Sequence, residues 1–109
     1  MLTLFGLKTC DTCRKAAKSL ESAGKSVVFH DVRSEPLSEE ALEGFLLVFG
    51  DKLLNTRSTT WRGLSDRERN RPVLQLLKEY PALMKRPILS DGERSTIGWD
   101  KSVQAHHLG

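Results

Sequence analysis

The first part of the chain alternates between apolar runs and one amphipathic segment. Residues 2–5 are a short apolar run, and residues 26–32 are rich in β-branched and aromatic side chains; each run predicts a strand. Between them, residues 11–23 place apolar side chains at steps of three and four, which predicts a helix that ends at Gly24. A strand, a helix and a strand in this order favour parallel pairing of the two strands.

The middle of the chain is predicted to be mainly helical. Residues 39–49 have the spacing of an amphipathic helix. Residues 51–64 show no clear period and are predicted to be irregular. A further helix is predicted to start after Ser65 and to continue through Leu77, and Pro81 interrupts it.

The last part of the chain predicts a β-hairpin followed by a short helix. Residues 87–89 and 94–97 have strand character, and Asp91-Gly92 between them is typical of a two-residue turn. Residues 99–108 predict a terminal helix. The order strand–helix–strand, then helices, then a hairpin and a helix is an α/β arrangement with a thioredoxin-like outline.

Length and composition indicate one globular domain spanning residues 1–109, with a helical insertion at about 38–85. A chain of 109 residues can bury a single core, and 39% hydrophobic with 28% charged residues is ordinary for such a domain. Two cysteines do not form a secreted disulfide scaffold, and no apolar run is long enough to span a membrane, so a cytoplasmic protein is expected. The net charge of +3 favours anionic small molecules or an acidic partner over direct nucleic-acid binding.

The chemistry is predicted to centre on Cys10 and Cys13, which lie between the first strand and the first helix. A thiolate is stabilised where helix N–H groups and positive charges point at sulfur, and Cys10 immediately precedes the helix. Lys8, Arg14 and Lys15 add positive charge nearby. We therefore predict that Cys10 is a nucleophile and that Cys13, one turn into the helix, is its resolving or regulatory partner.

Two other interpretations of this cysteine pair remain open. The pair could supply half of a zinc site, although the remaining ligands would have to be distant histidines because no second Cys-x-x-Cys is present. The two residues could also be buried structural thiols. No bound metal or cofactor is expected.

Three segments together resemble the arsenate-reductase-related family, which contains ArsC-type arsenate reductases, YffB-type proteins and Spx-type regulators. The segments are Gly-Leu-Lys-Thr-Cys-Asp-Thr-Cys-Arg-Lys-Ala at residues 6–16, Leu-Leu-Asn-Thr-Arg-Ser-Thr-Thr-Trp-Arg at 53–62, and Lys-Arg-Pro-Ile-Leu at 85–89 with Ile-Gly-Trp at 97–99. The central segment and the short C-terminus are most similar to the YffB-type branch.

This resemblance implies a thioredoxin-like fold with a helical insertion and a glutathione-linked thiol reductase or arsenate reductase activity. The cysteine that matches Cys10 attacks the oxyanion or disulfide substrate. The pair that matches Arg86-Pro87 faces this cysteine, and the peptide bond before Pro87 is expected to be cis. The arginine that matches Arg57 helps to bind the anion. Arg14 is a further candidate for anion binding. Guanidinium groups suit tetrahedral oxyanions and carboxylates because they present paired donors and a permanent charge.

The resemblance also defines the expected partners and an alternative. Glutathione is the expected reductant of a small oxyanion or disulfide substrate, and glutaredoxin is a further candidate partner. Arsenate reductases of the family have a third arginine where this chain has residues 96–99, with Arg94 displaced, which disfavours arsenate. The alternative is an Spx-type redox-sensing regulator that binds the RNA polymerase α subunit through a switch formed by Cys10 and Cys13.

Overall fold

The computed structural model describes residues 1–108, and the chain divides into two compact units. Met1–Glu35 and the chain from Arg86 onward form one unit, here called the sheet unit. Pro36–Lys85 form the other, here called the helical unit. The bounds of the helical unit are close to those predicted for the insertion, and the assignment of one domain to residues 1–109 stays a prediction.

The sheet unit is built on four strands in the spatial order β2-β1-β3-β4. Strand β1 (Leu2–Gly6) pairs in parallel with β2 (Val27–Asp31) and antiparallel with β3 (Ile88–Ser90), which pairs antiparallel with β4 (Ser95–Ile97). Parallel pairing of β1 and β2 follows from the helix that connects them. The mixed sheet confirms the predicted α/β class.

Helix α1 (Asp11–Ser22) covers one face of this sheet. Its buried side chains recur at helical spacing and pack against alternate residues of β1 and against β3, since successive strand residues point to opposite faces. Helix α6 (Lys101–Leu108) follows β4, and Trp99 and Val103 pack against the same cluster. This buried cluster consists of Leu2, Leu4, Cys13, Ala16, Leu20 and Leu89.

The helical unit contains four α-helices and two 3-10 turns. In chain order they are α2 (Glu39–Phe49), a 3-10 turn (Gly50–Leu53), α3 (Thr59–Arg62), α4 (Asp66–Arg69), α5 (Val73–Glu79) and a second 3-10 turn (Pro81–Leu83). Serines at positions 38, 58 and 65 start α2, α3 and α4, because each hydroxyl accepts a hydrogen bond from the backbone N–H three residues later.

Three details of the sequence prediction were wrong. Residues 51–64 include most of a 3-10 turn and the whole of α3, where irregular chain was expected. The helix expected from Ser65 to Leu77 is two helices, because Pro72 has no N–H and its ring disfavours a helical conformation in the residue before it. The hairpin turn spans four residues, 91–94, since Ser90 pairs with Ser95.

The Asp91 side chain explains this longer turn. Its Oδ1 accepts hydrogen bonds from the N–H groups of Glu93 at 2.9 Å and Arg94 at 2.8 Å, which holds the wider loop closed.

No helix within residues 1–108 is both long enough and apolar enough to cross a lipid bilayer.

We predict that Leu20→Ala destabilises the protein by about 2–5 kcal/mol, because it removes a fully buried side chain from the contact between α1 and the sheet. Leu47→Ala is the control, since the Leu47 side chain is 89% exposed, and its effect should stay within about 0.5 kcal/mol. Urea unfolding measures both changes. Equal losses in the two variants would contradict the assignment of Leu20 to the core.

Candidate active site around Cys10

Cys10 lies where the chain leaves β1 and enters α1. It is the N-cap residue of α1, its carbonyl accepts the first helical bond from Arg14 N–H at 3.1 Å, and its own N–H donates to the Leu7 carbonyl at 2.9 Å. The side chain is partly exposed, as a nucleophile requires. The predicted location of Cys10 immediately before the helix is confirmed.

A carboxylate at the end of β2 holds the loop before Cys10. Asp31 accepts hydrogen bonds from the N–H groups of Lys8 at 2.9 Å, Arg33 at 2.8 Å and Ser34 at 3.1 Å. These bonds lower the pKa of Asp31 to about 2, and the bond from the Lys8 N–H has the largest effect. Sequence analysis missed this role; the available signal was an acidic residue at the end of a strand parallel to the one that leads to Cys10.

Cys13 is fully buried beneath Cys10 in the core of the sheet unit, and both residues are free thiols. Burial raises the pKa of the Cys13 thiol to about 12 and outweighs the hydrogen bond from the Leu7 N–H, which lowers it; the neighbouring Cys10 raises it further. Cys13 is therefore protonated at neutral pH. A buried thiol with a raised pKa is a hydrogen-bond donor first and a poor free nucleophile.

The Cys10 thiol, in contrast, has a lowered pKa. Partial burial opposes ionisation, but the backbone N–H and the thiol of Cys13, together with the Arg86 guanidinium, stabilise the thiolate and outweigh it. The thiolate also lies at the positive end of the α1 dipole. The two cysteines are thus chemically different, and only Cys10 is prepared to attack a substrate.

Arg86 and Pro87 lie immediately before β3, which is paired with β1. The peptide bond between them is cis, in agreement with what the family resemblance implied. Pro87 is buried and Arg86 partly exposed, and the Arg86 guanidinium contributes a hydrogen bond and a positive charge to the Cys10 sulfur. The structure therefore brings Cys10, Cys13 and Arg86 together.

Arg14 lies on the exposed side of α1, beside a surface groove of about 660 Å³. The groove has an apolar floor of Ala17 and Phe29 and is also lined by Lys8, Lys18, Glu21 and Ser22. Arg14 forms an ion pair with Asp11, and both side chains are largely exposed. An exposed ion pair is weak, so Arg14 can exchange this partner for a bound anion.

Arg57 belongs to the helical unit, where it is exposed and lies two residues before α3. Its N–H donates to the Asn55 side chain at 3.1 Å. A role of Arg57 in binding the substrate anion stays a prediction. Within residues 1–108, no group of three or more His, Cys, Asp or Glu side chains is arranged to hold a metal ion.

A partly exposed thiolate next to a guanidinium can react in one general way. It attacks an electrophilic atom, such as a disulfide sulfur or an oxyanion centre, while the guanidinium balances negative charge on the incoming or leaving group. The arrangement therefore supports thiol-based substitution chemistry at Cys10.

Comparison with known proteins identifies the family to which the chain is similar. The sequence profile of the ArsC family matches residues 5–105. The global transcriptional regulator Spx of Streptococcus pneumoniae is 33% identical over 107 residues, covering 93% of this chain and 80% of the regulator.

Two solved structures show the same fold. A YffB protein superposes with a TM-score of 0.91 at 28% identity and covers 100% of both chains. An arsenate reductase (ArsC) related protein from Brucella melitensis superposes with a TM-score of 0.77 at 32% identity, covering 96% of this chain and 92% of its own. These matches confirm the predicted thioredoxin-like fold and the predicted family resemblance.

We predict that Arg86→Gln raises the pKa of Cys10, because the guanidinium favours the thiolate over the thiol. Alkylation of Cys10 by iodoacetamide then slows roughly three- to tenfold at pH 7, since the rate below the pKa follows the thiolate fraction. The pH midpoint of the rate shifts upward. Lys85→Gln removes the neighbouring positive charge and should leave the midpoint in place; an equal shift in both variants would contradict a specific role for Arg86.

Proposed function

This chain belongs to the ArsC family, and on that premise we propose that it is a glutathione-dependent thiol–disulfide reductase with Cys10 as its nucleophile. The observation that carries this proposal is the partly exposed Cys10 thiol, which has a lowered pKa, lies at the N-terminus of α1 and interacts with Arg86. A thiol that had only a packing role would need none of these features.

The proposed reaction has three exchange steps. The Cys10 thiolate attacks one sulfur of a disulfide substrate, so that a mixed disulfide with Cys10 forms and the other half of the substrate leaves as a thiolate. A glutathione thiolate attacks the Cys10 sulfur of this mixed disulfide, so that a disulfide between Cys10 and glutathione forms and the second half of the substrate leaves as a thiolate. A second glutathione thiolate then attacks the glutathione sulfur, which forms glutathione disulfide and releases the Cys10 thiolate. In total, one substrate disulfide and two glutathione thiols give two substrate thiols and one glutathione disulfide.

The difference between the two cysteines supports a cycle in which external glutathione resolves the intermediate. Cys13 is fully buried and has a pKa of about 12, so very little of it is thiolate at neutral pH. Glutathione reaches Cys10 from solvent and does not need Cys13. Resolution by Cys13 is the competing route, and the turnover of a Cys13 variant separates the two.

The groove beside α1 is proposed to bind the carboxylates of glutathione. Lys8 and Arg14 lie on either side of Cys10 in the sequence and line the groove with Lys18, which places three cations around an apolar floor. Glutathione carries two carboxylates, and an arginine can bind a carboxylate through two parallel hydrogen bonds. The groove volume of about 660 Å³ is in the range of small-molecule sites.

Arsenate is a weaker candidate substrate than a disulfide. The third arginine that the family's arsenate reductases place after the hairpin has no counterpart at residues 96–99. Arg94 lies within the turn between β3 and β4, where its N–H donates to Asp91 and its carbonyl accepts from the Asp91 N–H. Its backbone therefore serves the turn.

A redox-sensing regulator is the second candidate function. The identity of 33% to a regulator named Spx over 93% of this chain, together with two adjacent thiols, favours it. In this alternative, oxidation joins Cys10 and Cys13 and changes binding to the RNA polymerase α subunit. Retention of the α subunit by the immobilised protein in only one redox state would support it, and no retention in either state would exclude it.

We predict that turnover with a small disulfide depends on Cys10 and not on Cys13. The measurement is NADPH consumption coupled through glutathione reductase, with the disulfide and arsenate compared as substrates. Cys10→Ser should lose activity by more than a hundredfold because the nucleophile is gone, whereas Cys13→Ser should retain activity within about tenfold because it keeps a hydrogen-bond donor. Full activity of Cys10→Ser would overturn the proposed function.

We further predict that Arg14→Gln raises the KM for glutathione by roughly fivefold with a smaller change in kcat, because it removes a charged partner of a glutathione carboxylate. Lys15→Gln is the matched control: it removes one charge from the next position of α1, and Lys15 does not line the groove. The same rise in both variants would show that only the general positive charge matters and would contradict the proposed site.

A further inference from the structure

Gly6, the last residue of β1, is a glycine that backbone conformation does not explain. The glycines with positive φ angles are at positions 24, 50, 92 and 98, so Gly6 has a conformation that other residues can adopt. It lies within a paired strand, in register with Asp31 of β2. A glycine at such a position weakens a strand and usually marks a close approach by another group.

The group that approaches Gly6 is the side chain of Cys13. A Cβ atom on residue 6 would lie 2.5 Å from the Cys13 Sγ and 3.2 Å from both the Cys13 Cβ and a methyl group of Leu4. Two non-bonded heavy atoms cannot remain at 2.5 Å, so the sulfur would have to move. The two distances of 3.2 Å need only small adjustments. The absence of a side chain at position 6 therefore creates the space that the Cys13 sulfur occupies.

The position of this sulfur matters because it lies within a short chain of hydrogen bonds. The Leu7 N–H points at the Cys13 sulfur, and the Cys13 thiol in turn interacts with the Cys10 sulfur. Gly6 and Leu7 are consecutive, so one short piece of backbone both makes room for the Cys13 sulfur and orients it. A thiol held in this way keeps its proton and is placed to donate a hydrogen bond to the Cys10 thiolate.

We propose that Gly6 is a positioning residue for catalysis: it seats the Cys13 thiol so that this thiol donates a hydrogen bond to the Cys10 thiolate. The inference deepens the proposed function by giving Cys13 the role of a fixed donor. It also explains why Cys13 contributes to the reaction although only Cys10 reacts with substrate.

The test is a double-mutant cycle read by the pH dependence of Cys10 alkylation with iodoacetamide. The four proteins are the wild type, Gly6→Ala, Cys13→Ala and the double variant. Loss of a hydrogen bond to a charged sulfur should slow alkylation at pH 6 by about tenfold in either single variant. The double variant should match Cys13→Ala, because the new methyl group enters the space that the sulfur has left.

Independent effects would contradict the proposal. If the two losses multiply to about a hundredfold in the double variant, Gly6 acts through something other than the Cys13 thiol. A wild-type rate in Gly6→Ala would also overturn it. Gly44→Ala is the control for adding a methyl group, since a Cβ at that position meets nothing within 4 Å apart from its chain neighbours and the backbone of its own helix, and it should leave the alkylation profile unchanged.

The design also covers the case in which Gly6→Ala does not fold. The double variant should then fold and alkylate like Cys13→Ala, because the 2.5 Å contact no longer exists. Failure of the double variant to fold would contradict the proposal, since the methyl group at position 6 would then disrupt folding through a contact other than the Cys13 sulfur. Alkylation needs no substrate or reductant, so its outcome is separate from the turnover that tests the proposed function.

Discussion

The contact between α1 and β1 is the constraint on which the site depends. Leu20 and Ala16 hold the helix on the sheet, and Cys13 is the member of the same buried face that lies closest to the reactive end. Close-packed protein interiors tolerate little change in volume. The contacts that hold the helix on the sheet therefore also fix the position of Cys13. Cys10, three residues earlier, is thereby placed at the helix N-terminus.

Because of this contact, two identical side chains have pKa values that shift in opposite directions. Burial keeps Cys13 protonated, with a pKa of about 12, whereas partial exposure, helix N–H groups and Arg86 lower the pKa of Cys10. Arg86 lies two residues before the strand β3, which pairs with β1. The sheet thus joins two segments that are about seventy residues apart in the sequence, and the difference in pKa needs both.

Local patterns predicted the elements that carry the cysteines, because strand, helix and strand each have a strong period between residues 2 and 32. The family resemblance added Arg86 and the cis bond to Pro87. Non-local contacts were beyond such patterns: the bonds of Asp31 to the loop before Cys10, and the space that Gly6 leaves for Cys13, depend on tertiary packing. The break at Pro72 was visible in the sequence, but the charged turn after Ser65 and the apolar spacing after Pro72 together predicted one helix.

Ultraviolet titration of thiolate absorbance near 240 nm is the measurement that separates the two cysteines, because it observes both sulfur atoms in the unmodified protein. One thiolate should form below about pH 8.5, the ordinary cysteine value, and should be lost in Cys10→Ser. The second thiol should stay protonated well above that pH, in keeping with its pKa of about 12. Two thiolates that form together at or above about pH 8.5 would show that the two cysteines do not differ in their chemistry.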